Sequence, residues 1–277
     1  MSSPDDALAA TALGMREAVL RMAACPEGAH LGGSLSAVDI LAILYGEVLR
    51  IRPDEPGWPG RDWFVLSKGH ASAALYAALA DRGFIPWSEC ETYAHEGSRL
   101  AGHPLRRLPG VEFPTGSLGH GLSLGAGVAL GLKRSVRTNR VFVLLGDGEL
   151  QEGSVWEAVM SAAQFGLDNL TAIVDRNTWQ ISGRTEHCVA LEPLASRWRA
   201  FGWSVREVDG HDFGELRTAF AAIRAETGRP TLLIARTVKG KGVPRFEDRK
   251  ESHYMKLSPR TVDRAITQLL ARADGRS

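Results

Sequence analysis

RVFVLLGDGELQEGSVWEA, residues 140–158, decides the fold. Val141–Leu145 is an unbroken apolar run, the pattern of a strand buried on both faces. Gly146 and Gly148 then bracket Asp147, and a plain strand-to-helix loop needs one glycine at most. From Ser154 to Phe165 the spacing turns helical, with Val155, Val159, Ala162 and Ala163 on one side. LTAIVD, 170–175, reads as the next strand and runs into Asn177. Strand, helix, strand makes a βαβ unit, whose two strands usually lie side by side. Ligands in such sheets bind beyond the carboxyl ends of the strands. Asp147 and Asn177 are therefore expected at neighbouring strand tips, within reach of one point.

The flanks extend the pattern. Residues 6–24 read as a helix through Leu8, Ala12, Met15, Val19 and Met22. HLGGSLS, 30–36, is expected to break the pattern before a helix over Ala37–Leu49. RPDEPGWPG is a surface loop by its prolines and glycines. WFVLS, 63–67, is a strand candidate, and a helix follows at Ala71–Gly83. Leu100–Gly121 has no clear period and suits a loop or cleft lining. WSVREVD, 203–209, and PTLLIARTV, 230–238, are further strands around a helix at Phe213–Glu226. Together these predict an α/β fold, a mostly parallel sheet with helices on both faces, as one domain over residues 1–277.

Composition narrows the function. The chain has 277 residues, 44% hydrophobic, enough for a sizeable core. A net charge of +1 gives no electrostatic case for nucleic acid or an anionic membrane. Cys25, Cys90 and Cys188 are odd in number and widely spaced, so a reducing cytoplasm is expected rather than a disulfide framework. MSSPDD is unlike a secretory signal. The longest nearly uncharged run, around Leu108–Leu132, is too rich in Gly and Pro for a membrane span.

A carboxylate, an amide oxygen and a nearby backbone carbonyl suit Mg²⁺, or Ca²⁺ or Mn²⁺ in its place. Gly146 and Gly148 let backbone approach a phosphate, and a helix starting near Gln151 would offer its first amides to negative charge. Read alone, Asp147 serves equally as an N-cap and Asn177 as a turn residue. Glu152 and Glu157, five apart, point about 140° apart on a helix and make no acid/base pair. Five histidines sit where regular patterns break: His30, His70, His103, His120 and His253, four of them with glycine within two positions. None has zinc-site spacing, so proton transfer and hydroxyl recognition suit them better. TGSLGHGLSLGAGVALG, 115–131, reads as a glycine loop entering a small-residue helix. Its amides at Gly116, Ser117 and Leu118 are available to a cofactor, and Gly125, Gly127 and Gly131 to close helix packing. VKGKG, 238–242, is a solvated turn or a source of cations for a phosphate.

SKGHAS, AGHP, PTGSLGHGLS, GDGELQEGSVWEA, NLTAIVDRN, DGHD and TVKGKG, in this order, resemble the N-terminal half of transketolases. The resemblance covers about residues 15–250 and is specific for the set. It implies a thiamine diphosphate-dependent transferase passing a two-carbon ketol unit from a ketose to an acceptor. It implies Mg²⁺ bound by Asp147, the Asn177 side chain and the Trp179 carbonyl. His30, His70, His103 and His253 would form the catalytic set: His30 and His253 assisting proton movement on donor and acceptor hydroxyls, His103 gripping the terminal hydroxyl of a ketose, and His70 and His253 lying by the diphosphate and the reacting carbon. Gly116, Ser117 and Leu118 would flank its ring. Gly146, Gly148, Glu149 and Lys239 would join the cofactor set, and Lys68 would add charge. Glu152 would enter a carboxylate network at an interface between subunits.

The pyrimidine-binding and C-terminal domains of transketolase are expected on a partner chain, in an α2β2 assembly. A sugar phosphate is the substrate this implies. Some positions depart from the family pattern: AHLGG with Ala29 and Leu31, SHY with Tyr254, and Trp179 and Ser182 after Asn177. Leu31 and Tyr254 are expected to add bulk beside the substrate channel, which admits a carrier-protein or lipoyl acceptor as an alternative. The E1 alpha polypeptide of a 2-oxoacid dehydrogenase and a non-catalytic scaffold are further rivals. A dinucleotide-binding domain lacks its G-x-G-x-x-G fingerprint here.

Overall fold

A computed structural model describes residues 3–273; Met1, Ser2 and 274–277, at the ends of the domain read from the sequence, lie outside the described residues. Five strands form one sheet: β1 Trp63–Leu66, β2 Val141–Gly146, β3 Leu170–Arg176, β4 Ser204–Asp209 and β5 Thr231–Arg236. Their order is β1-β2-β3-β5-β4, and every pairing is parallel. The helices are α1 Pro4–Met22, α2 Leu31–Ile43, α3 Ser72–Asp81, α4 His120–Arg134, α5 Gly153–Gln164, α6 Thr185–Cys188, α7 Leu194–Ala200, α8 Phe213–Ala225 and α9 Pro259–Ala273.

Alternation along β2 divides the core. Phe142 and Leu144 face one layer, with residues of α1, α2, α3, α8 and α9. Val141, Val143 and Leu145 face the other, with α4, α5 and α7. Side chains on a strand alternate faces, so an all-apolar strand is the one both layers bury. β2 and β3 are buried at every position.

The helix expected from Ala37 begins six residues earlier. α2 runs through the LGGS segment without a break, and all of its residues are buried. Gly32 and Gly33 are there for space, at the usual cost of glycine in a helix. A Cβ on Gly32 would lie 2.6 Å from Ser252 Oγ and 2.8 Å from Lys239 Cγ. Leu31–Val48 has the length and hydropathy of a membrane span, yet 89% of it is buried inside the fold as a core helix. Of the three glycines expected to pack α4, only Gly125 does so: its Cβ would meet Val143 Cγ2 at 2.4 Å, whereas Gly127 and Gly131 face open space.

α7 and α9 lie outside the elements read from the sequence, although Val262, Ala265, Ile266 and Leu269 carry helical spacing. Between α4 and β2 the chain turns over with Val136 90% exposed. That turn feeds the amino end of β2, opposite the end that carries Asp147.

Candidate active site

Parallel register pairs Gly146 with Asp175, which brings the tips of β2 and β3 together as the sequence required. Asp147 Oδ2 accepts the Thr178 N–H at 2.5 Å and Arg176 Nη1 at 3.1 Å. Its Oδ1 accepts the Gly148 N–H at 2.8 Å. Asn177 Oδ1 accepts the Trp179 N–H at 3.1 Å. The peptide that follows Asn177 is thus bonded to Asp147, and both side chains are buried. Thr178 has φ +69°, a left-handed conformation that costs a β-branched residue energy. The N-cap reading also holds, because Asp147 caps the short 3₁₀ turn Gly148–Gln151. α5 itself starts later, at Gly153.

Burial pushes the Asp147 carboxyl up to about 6, against the pull of Arg176. Arg176 is also held by Thr185 Oγ1 at 2.7 Å, Glu186 at 2.8 Å and Glu192 at 3.1 Å. Gly148 lies tight against the next loop, since a Cβ there would come 2.8 Å from Gln180 Cβ. Among the described residues no group of three or more His, Cys, Asp or Glu is arranged to hold a metal ion. A set of one carboxylate, one amide and one carbonyl is of a different kind.

The histidines come from four distant segments and meet. The His30 ring centroid is 5.3 Å from His70, 5.8 Å from His103 and 5.6 Å from His253. His70 and His253 are stacked at 5.9 Å. His120 stands apart as the exposed first residue of α4. Burial, then the neighbouring charges of His103, Lys68 and Lys239, lowers His30 to about 4. Burial and Lys239 lower His253 to about 4, and His70 falls well below its ordinary value for similar reasons. Neutral imidazoles can each donate one hydrogen bond and accept another, which suits hydroxyl recognition and proton relay.

Two buried lysines stand behind them. Lys68 Nζ donates to the Gly33 carbonyl at 2.8 Å and pairs with Asp175. Asp175 also accepts from Ser36 Oγ at 2.6 Å and from Thr237 Oγ1. Lys239 Nζ lies 3.2 Å from His253 Nδ1, and burial followed by the Lys68 charge lowers it to about 8.

Gly116 lies against the histidines, for its Cβ would be 3.0 Å from His103 Cδ2. Ser117 is exposed beside it and Leu118 half-buried. Glu149 is buried, and its carboxylate accepts from Ser67 Oγ, the Gly119 N–H and the Gly146 N–H. It braces the glycine loop against the tip of β2. Glu152 is exposed. Tyr254 is half-exposed, its ring 4.8 Å from His30 and its hydroxyl 2.6 Å from the Glu27 carbonyl. Leu31 corrects an expectation: it is wholly buried in the core and adds no bulk to a channel. Trp179 is pinned by Asp248 at 2.8 Å, with the Arg184 guanidinium 4.1 Å over its ring. Sequence reasoning missed Asp175 and Arg176. The available signal was VDR, an acid and a base closing an otherwise apolar strand.

Residues 13–271 match the family described as the thiamine diphosphate binding domain of transketolase. The match runs past the 15–250 expected. The chain is 42% identical over 245 residues to an apulose-4-phosphate transketolase subunit of Phocaeicola vulgatus, covering 88% of this chain and 87% of that protein. It is 43% identical over 241 residues to 6-deoxy-6-sulfo-D-fructose transketolase subunit SqwG of Clostridium sp. strain MSTE9, covering 87% and 88%. Among solved structures, transketolase from Campylobacter jejuni superposes with a TM-score of 0.90 at 31% identity, over 97% of this chain and 43% of that one. The fold is therefore that of a thiamine diphosphate-binding transferase domain. The chain belongs to the transketolase family, in whose thiamine diphosphate binding domain it takes its place.

Proposed function

We propose that this chain is the diphosphate-binding subunit of a two-polypeptide transketolase, transferring a two-carbon ketol unit between sugars. The observation that carries the reading is the convergence of His30, His70, His103 and His253 next to Lys68, Lys239 and the strand tip. Thiamine diphosphate supplies the electron sink that carries the ketol unit. His103 binds a donor hydroxyl, and His30 exchanges protons with the substrate's hydroxyls. His70 and His253 line the reacting region, with Lys239 holding His253. Gly146 and Gly148 let backbone approach the diphosphate, and Gly116, Ser117 and Leu118 flank the cofactor ring.

A divalent cation suits the strand tip. Its donors there are a buried carboxylate, Asp147, and a buried amide, Asn177, with the Trp179 carbonyl as third. Thr178 in its left-handed conformation sets the bend between Asn177 and Trp179. The cation would offset the burial of Asp147 and tie the diphosphate to the sheet.

Completion of the site by a pyrimidine-domain partner, as an α2β2 assembly, is part of the proposal. The names of the two relatives, each called a subunit, support it. Those names specify a ketose phosphate and a sulfonated ketose, so a ketose with an anionic end is the substrate class. No observation favours the carrier-protein acceptor, and family membership sets the 2-oxoacid dehydrogenase reading aside. A reducing, cytoplasmic location fits three free cysteines. The test is reconstitution. The chain alone is expected to give no ketol transfer, and the chain with its partner polypeptide, Mg²⁺ and thiamine diphosphate to give full turnover. Robust turnover by the chain alone refutes the two-polypeptide reading.

A further inference from the structure

A buried ion cluster behind the site has no part in the chemistry above. Asp39, on α2, accepts both terminal nitrogens of Arg16, at 2.9 Å and 2.5 Å. Its Oδ2 is also 2.6 Å from His211 Nδ1. Each of those two partners reaches on to the turn that carries Lys239. The Val238 N–H donates to His211 Nε2 at 2.9 Å. Arg16 Nε donates to the Lys241 carbonyl at 3.3 Å. A ring nitrogen that accepts an N–H carries no proton, so His211 is neutral with its proton on Nδ1, facing Asp39. One carboxylate thus sets the tautomer that lets His211 accept from Val238, and aims the guanidinium that grips Lys241.

α2 holds the middle of the turn as well. The Gly240 N–H donates to the Gly32 carbonyl at 3.0 Å. Gly32 and Asp39 are seven residues apart, two helical turns, and so share a face. Gly240 has φ +79°, and a Cβ there would meet the Phe246 carbonyl oxygen at 2.2 Å, so only glycine fits at this point of the turn. Lys239 itself is buried, and its ammonium ends beside His253.

We propose that Asp39 is the positioning residue of the Lys239–His253 pair, acting through His211 and Arg16 on the two ends of the Val238–Lys241 turn. The inference rests on the role proposed for Lys239 beside the cofactor. His211→Asn keeps a donor for Asp39 and loses the acceptor for Val238. His211→Gln keeps that acceptor and loses the link to Asp39. Amide hydrogen exchange of the full chain, read by mass spectrometry, follows the turn directly. His211→Asn and Asp39→Asn are each expected to speed exchange over residues 238–241 at least about tenfold, with β2 and β3 unchanged. His211→Gln is expected to recover most of the protection. In the reconstituted enzyme, affinity for Mg²⁺ and thiamine diphosphate is expected to fall in the same order. Unchanged exchange in the turn, exchange raised evenly over the chain, or equal behaviour of Asn and Gln at position 211 overturns the proposal. Failure of the wild-type enzyme to bind the cofactor would instead count against the functional reading, and the exchange result alone would then judge the clamp.

Discussion

The strand tip and the histidine cluster are built by opposite means. Asp147 and Asn177 sit one and two residues beyond the paired Gly146 and Asp175, so backbone register aligns them. Backbone N–H groups complete the arrangement. The histidines share no sheet register. His30 precedes α2, His70 lies in a 3₁₀ turn before α3, His103 is in a long loop, and His253 ends the 3₁₀ turn Glu251–His253 ahead of α9. A backbone bridge between Ala29 and Met255 ties the His30 segment to the His253 segment, and packing between distant segments brings in the others. A site fixed by register tolerates change in its surroundings; one fixed by packing inherits every change in the elements beneath it.

The largest effect is expected where the two regions share a support. Lys68→Met leaves the Asp175 carboxylate buried without its cation, which costs about 3–5 kcal/mol in such settings. Urea denaturation of the purified chain measures it, and a midpoint near wild type would show that Lys68 supports neither region. Asp147→Ala attacks the strand tip alone. It is expected to weaken Mg²⁺-dependent thiamine diphosphate binding by at least about 100-fold in calorimetry, beyond the range seen for removal of ligand-supporting groups. Retained affinity would place the cation elsewhere. His103→Ala attacks the other region. In the reconstituted enzyme it should raise KM for the ketose about tenfold, the worth of one hydrogen bond, with a smaller change in kcat. A pure kcat effect would move His103 from binding to proton transfer.

A further effect, small near neutral pH, separates the regions by pH. His30 and His253 are lowered to about 4 in the fold, below the ordinary value near 6.5. As pH falls the unfolded chain takes up these protons first. Stability from this source is whole above pH ~6.5, drains between about 6.5 and 4, and levels below. The double variant His30→Asn, His253→Asn should lose that part of the slope. An unchanged slope would mean that neither imidazole is held neutral by its burial.

Much of this was legible in the chain. Apolar runs placed four strands and alternation the fifth, β4, and the βαβ rule predicted that the strand tips bearing Asp147 and Asn177 adjoin. The VDR ending hinted at their neighbour Arg176 but not at its burial, because a basic residue at a strand end reads as solvent-facing until the loop carrying Glu186 and Glu192 folds over it. Nor was the start of α2, since glycine spacing says nothing about what must approach; at Gly32 it is Lys239, from more than two hundred positions away. The histidines stand out as a set only through their glycine neighbours and the family motifs. No local periodicity links positions 30, 70, 103 and 253. Asp39 carried no signal at all, one acid in an apolar helix whose partners lie on α1 and before α8.

The exposed bend at Val136 has a practical meaning. A sheet whose strands all run one way has a working end and an idle end, and this bend belongs to the idle one. A fluorophore or surface tether attached there would follow the chain through mixing with its partner while leaving the reactive mouth unobstructed.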